Sequence, residues 1–184
     1  MKKSVGLILI TAIPNNEEVL MVVLQRRGQW NIEKMAPESY PGCCQISVHG
    51  KLKHNEEFYH GLFREGGEEL GRNFIMICQE KLNLEEVSHK CIDGEEILNF
   101  GAFIPAKLLR KIRLGPDSGG LDLVRGDNFL NGCVLKITED MKRYGPPHGG
   151  LAMFEDEIQD VKKALEMFSS KRYVEEEQCC AVSC

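Results

Sequence analysis

No stretch of this chain approaches the run of about eighteen or more apolar residues that a membrane span requires. An excess of positive charge is also missing: the formal net charge is -5. That argues against a broad surface for a phosphate backbone, so no nucleic-acid polymer is expected as a partner. The eight cysteines, at 43, 44, 78, 91, 133, 179, 180 and 184, form no C-x-x-C zinc spacing and no regular disulfide framework. Free thiols in a reducing cytoplasm are the expectation. The terminal "QCCAVSC" lacks a cysteine four positions from its end, so it does not fit the prenylation pattern. The opening "MKKSVGLILITAIP" has two lysines and an apolar run but no small-x-small cleavage site, which again favours a cytoplasmic protein. There is no internal repeat and no interdomain linker.

What is present suits one globular domain. At 184 residues with 42% hydrophobic and 28% charged content, the chain is long enough to bury a proper core. A single domain over 1–170 and a tail over 171–184, poor in apolar surface and expected to fray, is the simplest division. "SVGLILITAI" and "VLMVVLQ", separated by "PNNEE", read as strand, turn and strand. Their apolar residues are consecutive, as in strands covered on both faces. "CCQISV" reads as another short strand. Residues 56–70 read as a helix, with Phe58, Leu62 and Leu70 on one stripe and Gly71 as its stop. "NFIMIC" and "ILNFGAFI" read as strands, and "QEKLNLEEVSHKCIDGEE" between them gives no clear period. "AKLLRKI" predicts a short helical segment, and "LDLV" and "CVLKI" short strands. "EDEIQDVKKALEMF" predicts a helix with Ile158, Val161, Leu165 and Phe168 on its buried face.

The stretch from Gly50 to Gly71 carries the chemistry. On a helix turning about 100° per residue, Glu65, Glu68 and Glu69 fall within a sector of roughly 100°. Three carboxylates so placed repel one another. A solvated helix face is the plain reading of such a triplet, and a divalent cation the chemical one, because Mg²⁺ and Mn²⁺ bind carboxylates, waters and phosphates together. The wider pattern tips the balance: G-x5-E-x7-R-E-x-x-E-E-x-G, with Gly50, Glu56, Arg64, Glu65, Glu68, Glu69 and Gly71 in place.

This pattern resembles the signature of the Nudix hydrolase family, and "LQRR" at 24–27 and "YPG" at 40–42 are similar to that family's lead-in. The resemblance implies an α/β class protein, an α/β/α sandwich around a mixed β-sheet. It implies Glu65, Glu68 and Glu69 as ligands of Mg²⁺ or Mn²⁺, Glu56 as an auxiliary acid, Arg64 as the group that holds a box carboxylate, and Gly50 as the tight loop ahead of the helix. The implied reaction is water attack on phosphorus in a diphosphate linkage, with a small-molecule nucleoside diphosphate derivative as substrate and a homodimer as a common assembly. Glu68 is the first choice of general base, with Glu139 and Glu157 as outsiders. His49, Arg26 and Arg27 are candidate substrate contacts, although a structural histidine and two solvated arginines are the plainer readings. Trp30 and Tyr40 could stack on a base or simply pack.

Two departures stand out. Gly66 and Arg72 occupy positions where the family has aliphatic residues. Adjacent glycines at 66 and 67 cost a helix about 1 kcal/mol each relative to alanine, and Gly66 leaves a gap that a neighbour must fill. "YPGCCQISVHGKL" is similar to a segment of the isopentenyl-diphosphate isomerase branch, but the isomerase cysteine in S-V-C-G-H is replaced here by His49. With the charged box positions intact, a hydrolase is favoured over an isomerase, and over a non-catalytic binding module of the same fold.

Overall fold

A computed structural model describes residues 2–13, 16–32 and 34–170. The expected tail, 171–184, lies outside the described residues.

The chain begins with two long strands, β1 (Lys2–Ile13) and β2 (Asn16–Arg27), followed by the short β3 (Trp30–Asn31), β4 (Ala36–Pro37), β5 (Cys44–Gln45) and β6 (Val48–Lys51). Helix α1 (Phe58–Gly66) runs into a widened turn over Gly67–Gly71, and α2 (Arg72–Lys81) follows. Next come β7 (Glu85–Ile92), β8 (Glu95–Phe103), α3 (Ala106–Leu109), β9 (Ser118–Arg125) and α4 (Gly126–Leu130). The remainder is β10 (Leu135–Lys136), α5 (Met141–Tyr144), β11 (Ala152–Met153) and α6 (Glu155–Ser169).

Seven strands form one mixed sheet. β1 runs parallel to β8 and antiparallel to β2 and β6, while β9 lies along β2 and β7 along β8. The consecutive apolar residues of β1 divide between two cores, as expected for a strand covered on both faces. Val5, Leu7 and Leu9 pack with Leu62, Leu70, Phe74 and Ile75 of the α1–α2 layer. Ile8 and Ile10 pack with Ile158, Val161, Leu165 and Phe168 of α6. The architecture is therefore helices, mixed sheet and helix in three layers.

The placement of the site depends on a fork in the sheet. β1 and β2 pair through Leu9 and Val23 and then separate. Segment 44–51 enters the gap, pairing Cys44–Gln45 with β2 and Val48–Lys51 with β1. Ser47 sits at the fork: its hydroxyl accepts from the Leu9 N–H at 2.9 Å and donates to the Val23 carbonyl at 2.5 Å. One side chain thus satisfies two buried backbone groups that the parting strands would otherwise orphan. The single strand expected over 43–48 is consequently two, with Ser47 between them.

A second difference concerns 73–78, expected as a strand and found within α2. Phe74, Ile75 and Cys78 are buried while Met76 is exposed, which is helical spacing inside an apolar run. Gly71 does end the first helix, with φ at +95°, but the chain resumes as helix at once. The gap at Gly66 is filled as its missing side chain requires: a Cβ there would lie 2.4 Å from Ile75 Cδ1. Among the described residues no helix is long and apolar enough to cross a membrane.

Candidate functional site

Short strand β6 sets the site between the two helical layers. From Gly50 the chain turns into α1, and the absence of a side chain at Gly50 lets Glu65 fold over the strand. A Cβ at that position would lie 2.0 Å from Glu65 Cδ. Arg64 organises the carboxylates around this crossing. Its Nε and Nη2 donate to the two oxygens of Glu56 at 2.9 and 2.8 Å, and Nη2 also donates to the Lys51 carbonyl at 2.9 Å. Its Nη1 lies 2.8 Å from Glu65 and 3.6 Å from Glu68. Bidentate pairing of this kind fixes geometry as well as charge. The Arg64 hydrogen bonds, helped by the Lys53 N–H, pull the Glu56 carboxyl down to about 2.

The three box glutamates then differ in environment. Glu68 is the open one, with 58% of its side chain exposed. Glu65 is largely covered, and burial raises its pKa against the opposing pull of Arg64. Glu69 is partly covered as well. Burial pushes its carboxyl up to about 8, the His49 N–H donated at 3.2 Å pulls the other way, and the charge of Glu65 adds to the rise. Loop 113–115 closes the far side of this turn, with the N–H groups of Arg113 and Gly115 donating to the carbonyls of Leu70 and Glu69.

His49 joins the box to α6. Its Nδ1 lies 3.1 Å from Oε1 of Glu157, whose side chain is only 5% exposed. Burial alone would lower the imidazole pKa, but the hydrogen bond and charge of Glu157 turn the balance upward. Glu157 stands in the first turn of α6, where the positive end of the helix dipole favours a carboxylate. Of the two outsiders weighed as general base, then, Glu157 reaches the site through His49. Glu139 is 80% exposed and meets Tyr40 instead.

Arg26 and Arg27 are spent on loops. Arg26 pairs with Asp122 at 2.6 Å and donates to the carbonyls of Gly42 and Gly149. Arg27 pairs with Glu38 at 2.7 Å and donates to Ser39. Neither hydrogen-bonds a box residue among the described contacts. Tyr40 packs edge-on against Phe154, and Trp30 is half-exposed on the β3–β4 hairpin. Cys44 and Cys78 have thiols pushed up to about 12 by burial, which suits inert packing.

Among the described residues no three His, Cys, Asp or Glu side chains are gathered closely enough to hold an ion as they stand. The donors nevertheless have the right chemistry for a hard divalent cation: they are carboxylate oxygens, one of them on a group, Glu69, that burial pushes up to about 8.

The same fold recurs in solved structures. A mutT/nudix family protein from Listeria innocua matches over 92% of this chain and 94% of its own, with 19% identity and a TM-score of 0.61. The Ap4A hydrolase of C. elegans, solved as a binary complex, matches over 93% of this chain and 100% of its own, with 10% identity and a TM-score of 0.56. The chain has the Nudix fold. The NUDIX domain of NrtR from Shewanella oneidensis, solved with ADP ribose, is similar as well, at 12% identity, a TM-score of 0.55 and 90% and 87% coverage. No family model and no curated protein matches the sequence. Within the Nudix fold, residues 50–71 form the loop and helix on which the pattern of charged positions lies.

Proposed function

We propose that this protein is a Mg²⁺- or Mn²⁺-dependent hydrolase that cleaves a diphosphate linkage, in a small nucleoside diphosphate derivative, by water attack on phosphorus. The observation that carries the reading is the cross-braced set Glu56–Arg64–Glu65, with Glu68 and Glu69 one turn on, at the loop–helix junction of a Nudix fold. Glu65, Glu68 and Glu69 would hold the cation. Bound there, it supplies Lewis-acid polarisation of a phosphoryl oxygen and offsets the charge of the leaving group. Arg64 keeps Glu56 and Glu65 in place. Glu68, the most open carboxylate, is positioned to accept the proton of the attacking water, so it is the candidate general base. The five free cysteines among the described residues accord with a reducing cytoplasm. Phosphate release from a panel of diphosphates, with and without Mg²⁺ or Mn²⁺, tests the reading in wild type and Glu68→Gln. Metal-dependent turnover that collapses in the variant is expected.

One observation favours a second reading, a binding module without turnover. Glu56, Glu65 and Glu69 are already held by Arg64 and by the Lys53 and His49 N–H groups, and the carboxylates are not gathered for an ion. Binding of a diphosphate without release of any product would select it.

A further inference from the structure

Within the box one cation, Arg64, serves Glu56, Glu65 and Glu68. Just past the box the balance of charge reverses. Arg72 follows Gly71 directly, and the turn after α3 supplies Arg110, Lys111 and Arg113 from a stretch, 97–116, that holds no aspartate or glutamate. All four residues are exposed.

Two backbone hydrogen bonds lock this segment to the box. The Arg113 N–H donates to the Leu70 carbonyl at 2.8 Å, and the Gly115 N–H donates to the Glu69 carbonyl at 3.0 Å. Gly71 lets them meet: with φ at +95° and no side chain, it admits the Arg113 stem, whose Cβ lies 3.0 Å from where a Cβ on Gly71 would stand. Arg72 turns back along the widened turn, its Cγ 3.7 Å from where a Cβ on Gly67 would stand. Beneath, Ile112 is buried in the α1–α2 core, with Leu108 and Leu109 packed against it, so the backbone carrying these cations is anchored.

The four charges have no internal use. Arg113 Nη1 donates to the carbonyls of Arg110 and Ile112 at 3.1 and 2.8 Å, and none of the four forms an ion pair with an acid among the described residues. Arg26, Arg27, Arg64 and Arg125, by contrast, each meet a carboxylate. Like charges gathered without a counter-ion repel, and solvent weakens that repulsion without abolishing it. In a chain of net charge -5, four such side chains are too few for a nucleic-acid backbone. They suit a small polyanion, because guanidinium forks match pairs of phosphate oxygens.

We infer that Arg72, Arg110, Lys111 and Arg113 form an anion subsite at the rim of the box, where they hold a phosphate group of the substrate beyond the scissile diphosphate. The inference rests on the hydrolase reading above and narrows its substrate to polyphosphorylated compounds.

Two measurements on the full chain separate the subsite from the chemistry. In metal-free protein, inorganic tripolyphosphate is titrated while backbone amide signals are followed by nuclear magnetic resonance. Shifts confined to 70–72 and 107–115 are expected. Binding should weaken about 10-fold in Arg72→Gln and again in the double variant Arg110→Gln/Lys111→Gln, as loss of charge-assisted hydrogen bonds does. Arg143→Gln, which alters an exposed arginine on α5, should bind like wild type. With Mn²⁺ or Mg²⁺ present, kcat/KM for a dinucleoside tetraphosphate is then compared with that for a nucleoside diphosphate sugar. A preference of about 10-fold for the tetraphosphate, expressed in KM and lost in the rim variants, is expected. A merely structural role would lower the melting temperature and slow both substrates alike. Cations that only offset the box charge would, when removed, tighten Mn²⁺ binding and leave the preference unmoved. Either result, or tripolyphosphate that does not bind the rim, overturns this inference and leaves the hydrolase reading standing. No metal-dependent turnover of any diphosphate overturns that reading, and the substrate assignment with it.

Discussion

Replacing Gly50 by alanine should separate the site's geometry from the stability of the fold. Gly50 does not have a positive φ, so alanine meets no backbone strain there. The obstacle is Glu65: the new methyl would stand 2.0 Å from its Cδ, 2.2 Å from its Cγ and 2.4 Å from its Oε1. That is roughly 1.4 Å inside ordinary van der Waals contact, so Glu65 must swing away. The obstructing atoms belong to the far end of a flexible side chain, which keeps the cost to the fold within the usual overpacking range of about 1–3 kcal/mol. The cost to the site is larger in effect, because the 2.8 Å contact between Glu65 and Arg64 cannot survive such a shift. Misplacement of a reacting group by about 1 Å can lower a rate by about 100-fold, equivalent to about 2.7 kcal/mol in the barrier. Thermal melts, Mn²⁺ titration and kcat/KM on a cleavable diphosphate would be measured together. A cooperative melt with Mn²⁺ affinity and activity both sharply reduced is expected. Unchanged activity and affinity in Gly50→Ala would refute the idea that the close crossing of Glu65 over β6 builds the site.

Other perturbations follow the same logic. Ser47→Ala leaves the Leu9 N–H and the Val23 carbonyl without partners, so unfolding by urea should show a loss of about 1–3 kcal/mol for each group left unsatisfied. Gly66→Ala gains about 1 kcal/mol of helix propensity but drives a methyl to within 2.4 Å of Ile75 Cδ1, so packing wins and stability falls. Adding Ile75→Val removes that atom, and a double-mutant cycle should show favourable coupling between the two. Glu56 titrates lower in the folded chain, at about 2, than in the unfolded one, so it contributes stability at pH values above its ordinary range. That contribution should be lost as pH falls from about 4.5 through 2 in metal-free protein, and Glu56→Gln should flatten this acid limb in urea melts.

What the sequence made legible was the set of features that declare themselves locally. β1 and β2 carry unbroken apolar runs, α6 carries a clean helical stripe, and the box spans only residues 50–71. The parts it hid depend on long-range partners or on mixed signals. In α2, "NFIMIC" is apolar at nearly every position, so only the burial of Phe74, Ile75 and Cys78 against an exposed Met76 reveals its period. β7 lies at an edge of the sheet, where Glu85, Glu86, His89 and Lys90 obscure any alternation. Nothing local marks Ser47 as the residue that closes the fork. The pairing of His49 with Glu157 spans 108 residues and depends on α6 packing against the sheet. Arg26 and Arg27 look available in sequence, yet their hydrogen bonds go to loop carbonyls and carboxylates brought in from elsewhere.

The most direct test of the central claim is product release from a panel of diphosphate substrates, with chelator and with added Mn²⁺ or Mg²⁺, in wild type and Glu68→Gln. The account predicts turnover that requires the metal and falls by several orders of magnitude in Glu68→Gln, with the variant's melting temperature nearly unchanged. Turnover that persists in chelator, or an equally active Glu68→Gln, would contradict it.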